Sequence, residues 1–72
     1  MEKGGPKLVN VATCYYNLGL VHRALDDLEQ AKEFQEHALA IRLKKLGPDH
    51  RDVSTVQHEL TKLQHMMDSI SQ

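Results

Sequence analysis

The 72-residue sequence has one cysteine, no tryptophan and only three other aromatic side chains. A single cysteine cannot form a disulfide within the chain, and a lone thiol without an N-terminal apolar run favours a reducing, cytoplasmic compartment. The scarcity of aromatic rings disfavours a platform on which nucleic-acid bases stack. No apolar run approaches the ~20 residues of a membrane-spanning helix. We therefore expect a cytoplasmic chain with no membrane partner.

An excess of charge of either sign is also missing. Nine basic and ten acidic side chains give a formal net charge of −1. Because a nucleic-acid-binding face needs a strong basic excess, we expect no nucleic-acid partner. A chain of this length is one domain at most, and it hides only about 60% of its unfolded surface, so its core is thin.

The second part of the sequence repeats the first at an offset of 42 positions. Of the 28 residue pairs aligned from position 3 to position 30, eight are identical: Lys3/Lys45, Gly5/Gly47, Pro6/Pro48, Val11/Val53, Thr13/Thr55, Leu18/Leu60, Asp26/Asp68 and Gln30/Gln72. A period between 20 and 50 residues is typical of solenoid arrays, in which each repeat packs on its neighbours. The chain therefore holds one whole repeat and the first half of another.

Each repeat is predicted to be helical, because apolar residues recur every three or four positions and strand-like alternation is absent. We predict helices over residues 7–25, 28–46 and 51–70. The predicted core positions of the first helix are Leu8, Val11, Tyr15, Leu18 and His22, and those of the second are Leu28, Ala31, Phe34, Ala38, Ile41 and Leu46. The third helix carries a heptad stripe of Val53, Val56, Leu60, Leu63, Met67 and Ile70.

Two short breaks separate these helices. The break at 26–27 is so tight that the first two helices must form an antiparallel hairpin. Asp27 is predicted to cap the second helix, with Gln30 at the spacing of a capping box. Gly47 is predicted to end that helix in a left-handed conformation. The third helix then either packs its stripe on the hairpin as a terminal cap, the favoured interpretation, or uses the stripe for self-association.

The stretch "YYNLGLVHRALDDLEQAKEFQEHALAI" resembles a tetratricopeptide repeat. The positions that carry the resemblance are Tyr15, Leu18-Gly19, His22, Ala31, Phe34 and Ala38-Leu39. The 42-residue period and the phrase "ALAIRLKKLGPDHRDV" are similar to the longer repeats of kinesin light chains and nephrocystin-like proteins. Gly19 and Ala31 would let the two hairpin helices approach closely, and Ala38 would do so toward the next repeat. Asp26 stands where the family usually has glycine.

The resemblance implies an all-α fold of about one and a half units of an α-solenoid. Residues 1–6 would form an N-terminal tail and residues 7–47 the helical hairpin. Residues 48–72 would form a partial second repeat, which is a C-terminal capping helix.

Residues with catalytic or metal-binding chemistry form no recognisable site. The five histidines include no His-x-x-x-His pair, and a Cys-x-x-Cys pair is impossible with one cysteine. We interpret His22 as a packed substitute for an aromatic ring, and His37, His50, His58 and His65 as solvated. Three helices cannot enclose a water-excluding cleft, and no phosphate-binding glycine loop is present. We expect a protein that is not an enzyme and uses no metal or cofactor.

Binding of another protein is the function that the resemblance implies. In the family the first helix of each repeat lines a groove for peptides, and the corresponding residues here are Thr13, Tyr16, Asn17, Leu20 and Arg23. Tyr16 and Leu20 occupy two positions where chaperone-binding relatives carry basic residues, which disfavours a chaperone-tail receptor. The alternative is a structural cap or fragment of a larger array that forms a homo-oligomer through its apolar helix faces.

Overall fold

The computed structural model describes residues 8–71, with the side chains of residues 9, 70 and 71 excepted. It comprises helices α1 (Leu8–Ala24), α2 (Leu28–Leu46) and α3 (Arg51–Ser71). The prediction of an all-α chain with three helices is confirmed, and the helix bounds agree to within a residue where they are described. The predicted tail at 1–6 and the predicted packing of the Ile70 side chain lie outside the described part. None of the described helices is both long and apolar enough to traverse a lipid bilayer.

Helix α2 lies between the other two helices and packs against both. Near its C-terminal end, Arg42 reaches Thr13 close to the start of α1. Near its N-terminal end, Leu28 and Ala31 pack with Leu63, close to the end of α3. Both neighbours therefore run antiparallel to α2, which confirms the predicted hairpin and folds the third helix back onto it.

The face of α2 that is buried differs from the predicted one. Its buried residues are Leu28, Ala31, Gln35, Ala38 and Arg42. Ala31 and Ala38 have no exposed surface, as the predicted close approach of the helices requires. The predicted core residues Phe34, Ile41 and Leu46 are only half-buried, because Gln35 and Arg42 take the central positions and bond to neighbouring helices.

The predicted apolar face of α1 is also rotated. Leu8 and Leu18 are 48% and 43% exposed, whereas Ala12 and Gly19 are buried. Tyr15 and His22 are half-buried and lie beside the Phe34 ring, with centroid distances of 6.0 and 5.1 Å. The interpretation of His22 as a ring substitute is therefore confirmed.

The stripe of α3 packs on the hairpin, as the favoured interpretation predicts. Val53, Val56 and Leu63 have no exposed surface, and Leu60 and Met67 are half-buried. Glu59 lies among these apolar residues and is only 5% exposed. A buried carboxylate needs a partner, and Glu59 has one on α1.

Helix α1 ends in a Schellman-type turn centred on Asp26. The Asp26 N–H donates to the Arg23 carbonyl at 2.9 Å, and the Asp27 N–H donates to the His22 carbonyl at 2.8 Å. Asp26 itself has a φ of 66°, the positive value that this turn requires. An aspartate therefore holds the conformation in which the family usually places glycine, at a cost of about 1–2 kcal/mol.

The predicted side-chain cap on α2 is wrong. Among the described residues, no N–H group of this helix donates a hydrogen bond to the Asp27 carboxylate. The carboxylate instead turns back toward α1, where its Oδ2 lies 3.4 Å from His22 Nδ1.

The conformation of Gly47 agrees with the prediction only in φ. Its φ of 90° is positive, but its ψ of 160° is extended rather than left-handed helical. The cause is Pro48, whose ring disfavours helical backbone angles at the preceding residue and favours ψ near 120–160°. Past this turn, His50 begins α3 by accepting a hydrogen bond at Nδ1 from the Asp52 N–H at 3.0 Å. His50 is thus an exposed helix cap rather than a merely solvated residue.

The two positive-φ residues lead to opposite predictions. Asp26→Gly should raise the free energy of unfolding by about 0.5–1 kcal/mol, because glycine relieves the left-handed strain but loses more chain entropy. Gly47→Ala should lower it by about 1–3 kcal/mol, because its backbone angles are essentially restricted to glycine. Urea unfolding followed by circular dichroism measures both. Two shifts of the same sign would contradict the assigned turn geometry.

Candidate functional site

An open cleft of about 490 Å³ lies between α1 and α3. Its lining residues are Tyr16, Arg51, Ser54, Thr55, His58, Glu59 and Lys62. Most of the lining belongs to α3, and Arg51, His58 and Lys62 are exposed there. The exposed cationic side chains of Arg51 and Lys62 and several hydroxyl groups therefore line this cleft, while α1 contributes an aromatic ring.

An ion pair joins α1 to α3 at the edge of the cleft. Arg23 Nη1 donates to both carboxylate oxygens of Glu59 at 2.9 Å. The Glu59 side chain is 5% exposed and the Arg23 side chain is 30% exposed. Because the guanidinium neutralises Glu59, the acidic member of the lining adds little negative charge to the cleft.

A second polar cluster, formed by Arg42, Tyr16 and Thr13, ties all three helices together. The guanidinium carbon of Arg42 lies 5.2 Å from the centre of the Tyr16 ring, a cation–π arrangement. Arg42 Nη1 donates to the Asp52 carbonyl at 3.2 Å, and its Nη2 donates to Thr13 Oγ1 at 3.4 Å. These contacts hold the Tyr16 ring in place beside the cleft.

Gly19 allows α1 and α2 to approach closely, as predicted. A methyl group at Gly19 would lie 2.7 Å from Gln35 Cδ, far inside van der Waals contact. Gln35 is fully buried, and its Nε2 donates to the Tyr16 carbonyl at 3.0 Å. The absence of a side chain at Gly19 therefore makes room for the amide that links the two helices.

The five predicted groove residues do not all reach the cleft. Tyr16 lines it, and Arg23 contacts it through Glu59. Thr13 lies against Arg42. Asn17 is exposed and Leu20 half-buried on α1, outside the lining of this cleft. A role for these five in binding stays a prediction.

The α3 side of the cleft was missed by the sequence analysis, although the repeat itself marks it. Adding 42 to the numbers of Thr13, Tyr16, Asn17 and Leu20 gives Thr55, His58, Glu59 and Lys62. All four of these α3 residues line the cleft. The positions equivalent to the predicted α1 residues therefore line the cleft on α3, whereas of the described α1 residues only Tyr16 does so.

The remaining chemistry-bearing residues do not assemble into a centre. In the part of the chain that the structure describes, no group of three or more His, Cys, Asp or Glu residues is arranged to hold a metal ion. The thiol of Cys14 is free and exposed on α1.

Comparison with known proteins identifies a matching family. A family model for the tetratricopeptide repeat matches residues 11–52, more than half of the chain. The matched span begins in α1, includes all of α2 and ends in the first turn of α3. No curated protein and no solved structure matches the chain significantly.

The contact between Gly19 and Gln35 predicts an unusual result for a helical glycine. Gly19→Ala should lower the free energy of unfolding by about 1 kcal/mol. Displacing the buried Gln35 amide leaves polar groups unpaired at a cost of about 1–3 kcal/mol, which outweighs the roughly 1 kcal/mol that alanine adds to a helix. The double variant Gly19→Ala/Gln35→Ala should lose about 1 kcal/mol less stability than the sum of the two single variants, because the new methyl group no longer collides with the Gln35 side chain. Additive losses in urea unfolding would contradict this.

The ion pair predicts unequal effects of removing its two members. Arg23→Ala should lower the free energy of unfolding by about 2–3 kcal/mol, because it leaves the buried Glu59 carboxylate without its guanidinium. Glu59→Leu should cost clearly less, because the partly exposed Arg23 regains water. Urea unfolding of the two variants makes the comparison. An equal or larger loss from Glu59→Leu would mean that the pair is not the reason for the Glu59 burial.

Proposed function

Because the chain belongs to the tetratricopeptide repeat family, whose repeats generally mediate contacts between proteins, we propose that it is a non-enzymatic interaction module. Its ligand is an extended peptide segment of a partner protein, and the segment docks in the cleft between α1 and α3. Two parallel helices with an open channel between them suit an extended chain, as in other helical arrays with concave binding surfaces.

The charge of the cleft carries this proposal and defines the peptide. Arg51 and Lys62 are exposed cations among the lining residues, and Glu59 is neutralised by Arg23. The cleft therefore favours a peptide with acidic side chains. The hydroxyl groups of Ser54 and Thr55 supply hydrogen-bonding partners for the peptide backbone.

Residues of α1 complete the binding surface. The Tyr16 ring, held by Arg42, offers a rigid apolar face with a hydroxyl group at its end. The exposed amide of Asn17 pairs with a peptide bond, and Leu20 and Thr13 extend the surface along the helix. Arg23 acts indirectly, because it positions Glu59 and links the two walls.

We place this module with the 42-residue repeats of kinesin light chains and nephrocystin-like proteins. The period of 42 residues and the Gly-Pro pairs at its boundaries support this placement. A cytoplasmic location suits the lone cysteine. The second candidate function, a structural part of a larger array, is supported by apolar side chains that α1 leaves exposed, among them Leu18, Val21 and Leu25.

Peptide display tests the binding function. Short random peptides displayed on phage are selected against the full chain, and binding of the enriched peptides is measured by titration. We expect enrichment of acidic residues and a roughly tenfold or larger loss of affinity on Lys62→Glu, because like charges then meet in the cleft. Asn17→Ala should weaken the same peptides.

The matched control is Lys45→Glu, the same charge reversal at an exposed position outside the lining of the cleft. It should leave the affinity almost unchanged. Peptides without acidic residues, or equal losses for the two lysine variants, would contradict the assignment of the cleft.

A further inference from the structure

Arg42 is a buried cation whose described partners are all uncharged. It is 7% exposed, and its guanidinium contacts the Asp52 carbonyl, the Thr13 hydroxyl and the Tyr16 ring. Within the described part of the chain, no carboxylate forms an ion pair with it. Arginine is rarely buried without a carboxylate, because removing the charge from water is costly unless the charge is paired. The surroundings of Arg42 therefore favour an anion as a further partner.

One edge of the Arg42 guanidinium is poorly satisfied. Nη1 donates to the Asp52 carbonyl at 3.2 Å, whereas Nε is buried and has no hydrogen-bond partner among the described residues. Nη2 lies on the same edge as Nε, and its bond to Thr13 Oγ1, at 3.4 Å, is longer than usual. A carboxylate binds such an edge through two parallel N–H···O bonds, each roughly twice as strong as a neutral bond. The Nε–Nη2 edge thus has the geometry that a carboxylate requires.

This edge lies beside the cleft between α1 and α3. Tyr16 lines the cleft, and Thr13 is exposed on α1 one helical turn before it. Both residues contact Arg42. A carboxylate arriving along α1 has to displace only the long Thr13 contact, which is worth little compared with the charge-assisted bonds that it forms.

We propose that the Nε–Nη2 edge of Arg42 is the subsite that anchors an aspartate or glutamate side chain of the docked peptide. The subsite rests on the proposed function, because it presupposes an acidic peptide in the cleft. Arg51 is exposed in the same cleft and attracts the peptide through solvent. Arg42 differs from it in being held by the Asp52 carbonyl and the Tyr16 ring, so that little side-chain freedom is lost on binding.

A second acidic side chain of the peptide is expected at Lys62. Arg42 binds α3 at the Asp52 carbonyl, ten residues before Lys62. Ten residues of α-helix rise about 15 Å, and an extended peptide advances about 3.3 Å per residue. The two carboxylates are therefore expected four or five positions apart in the peptide, a spacing that charge attraction alone does not impose.

Supplying a carboxylate from the chain itself tests the subsite without any peptide. Thr13→Asp places a carboxylate beside the Nε–Nη2 edge, and Thr13→Asn is the matched control with the same shape and no charge. We expect the Asp variant to melt about 5 °C above the Asn variant, because the buried cation of Arg42 gains a charged partner. In an Arg42→Lys background this difference should fall by half or more, because lysine has no such edge.

The effect of charge on the helix itself is measured at Cys14, which is exposed on α1 next to Thr13. Cys14→Asp and Cys14→Asn should melt within about 1 °C of each other, because the helix dipole acts mainly within the first turn. Circular dichroism of each variant checks that its helices are formed.

The Arg42 Nε–H resonance of the unmodified chain gives a second readout by NMR. The probe is the peptide acetyl-Glu-Gly-Ser-Gly-Glu-amide, whose blocked end excludes binding through a terminal carboxylate. Saturation with this peptide should move the resonance downfield, because the N–H group then donates to a charged oxygen. The same peptide with glutamine at both positions should leave the resonance in place.

Two results would overturn the subsite. One is equal melting of Thr13→Asp and Thr13→Asn, and the other is an Arg42 Nε–H resonance that stays in place at millimolar concentrations of the glutamate peptide. Neither would contradict the interaction module, because acidic peptides still have Arg51 and Lys62. Conversely, a display selection that enriches no peptide would contradict the proposed function even where Thr13→Asp stabilises the chain.

Discussion

The fold depends on the inner face of α2, because this one strip of residues holds both neighbouring helices. The small side chains of Ala31 and Ala38 on this face allow the backbones of α1 and α3 to approach α2 closely. Gln35 and Arg42 then reach sideways to the Tyr16 carbonyl, Thr13 and the Asp52 carbonyl. Buried polar groups need partners in fixed geometry, so these bonds set the positions of α1 and α3 more narrowly than apolar packing alone would. The cleft is a consequence of that spacing.

Features determined by nearby residues were predictable from the sequence. The helices and the hairpin both follow from local spacing and from the breaks between helices. The buried faces were predicted less well, because the partners that decide them are distant in sequence. Gln35 and its acceptor Tyr16 are 19 residues apart, and Arg23 and Glu59 are 36 apart. Hydropathy alone places Gln35, Arg42 and Glu59 on the surface and Leu18 in the core, and in each case the tertiary arrangement decides otherwise.

Of the candidate site, the sequence analysis predicted residues on α1 and missed the α3 side. Family resemblance points to α1, since only the first repeat keeps the recognisable motif. The second repeat has histidine in place of Tyr16 and lysine in place of Leu20, at positions 58 and 62. Lys62 supplies a positive charge to the cleft, while the motif itself is lost at positions 57 and 61, where glutamine and threonine replace Tyr15 and Gly19. The wall that gives the cleft its charge is therefore the one that motif matching cannot find, although the period of 42 locates it.

The sequence differences between α1 and α3 correspond to differences in which faces of the two helices are buried. Leu63, which packs against Leu28 and Ala31 of α2, keeps the apolar character of Val21, its equivalent in α1. Positions that would seat a further helix have become polar, and Thr61 adds a side chain where a neighbour would need space, as Gly19 provides for Gln35. A helix with one partner needs one apolar face, and a second exposed one would favour aggregation. Since α1 retains exposed apolar side chains at Leu18, Val21 and Leu25, whereas the outer residues Gln57, Thr61 and Gln64 of α3 are polar, the outer faces of the two helices differ in chemistry.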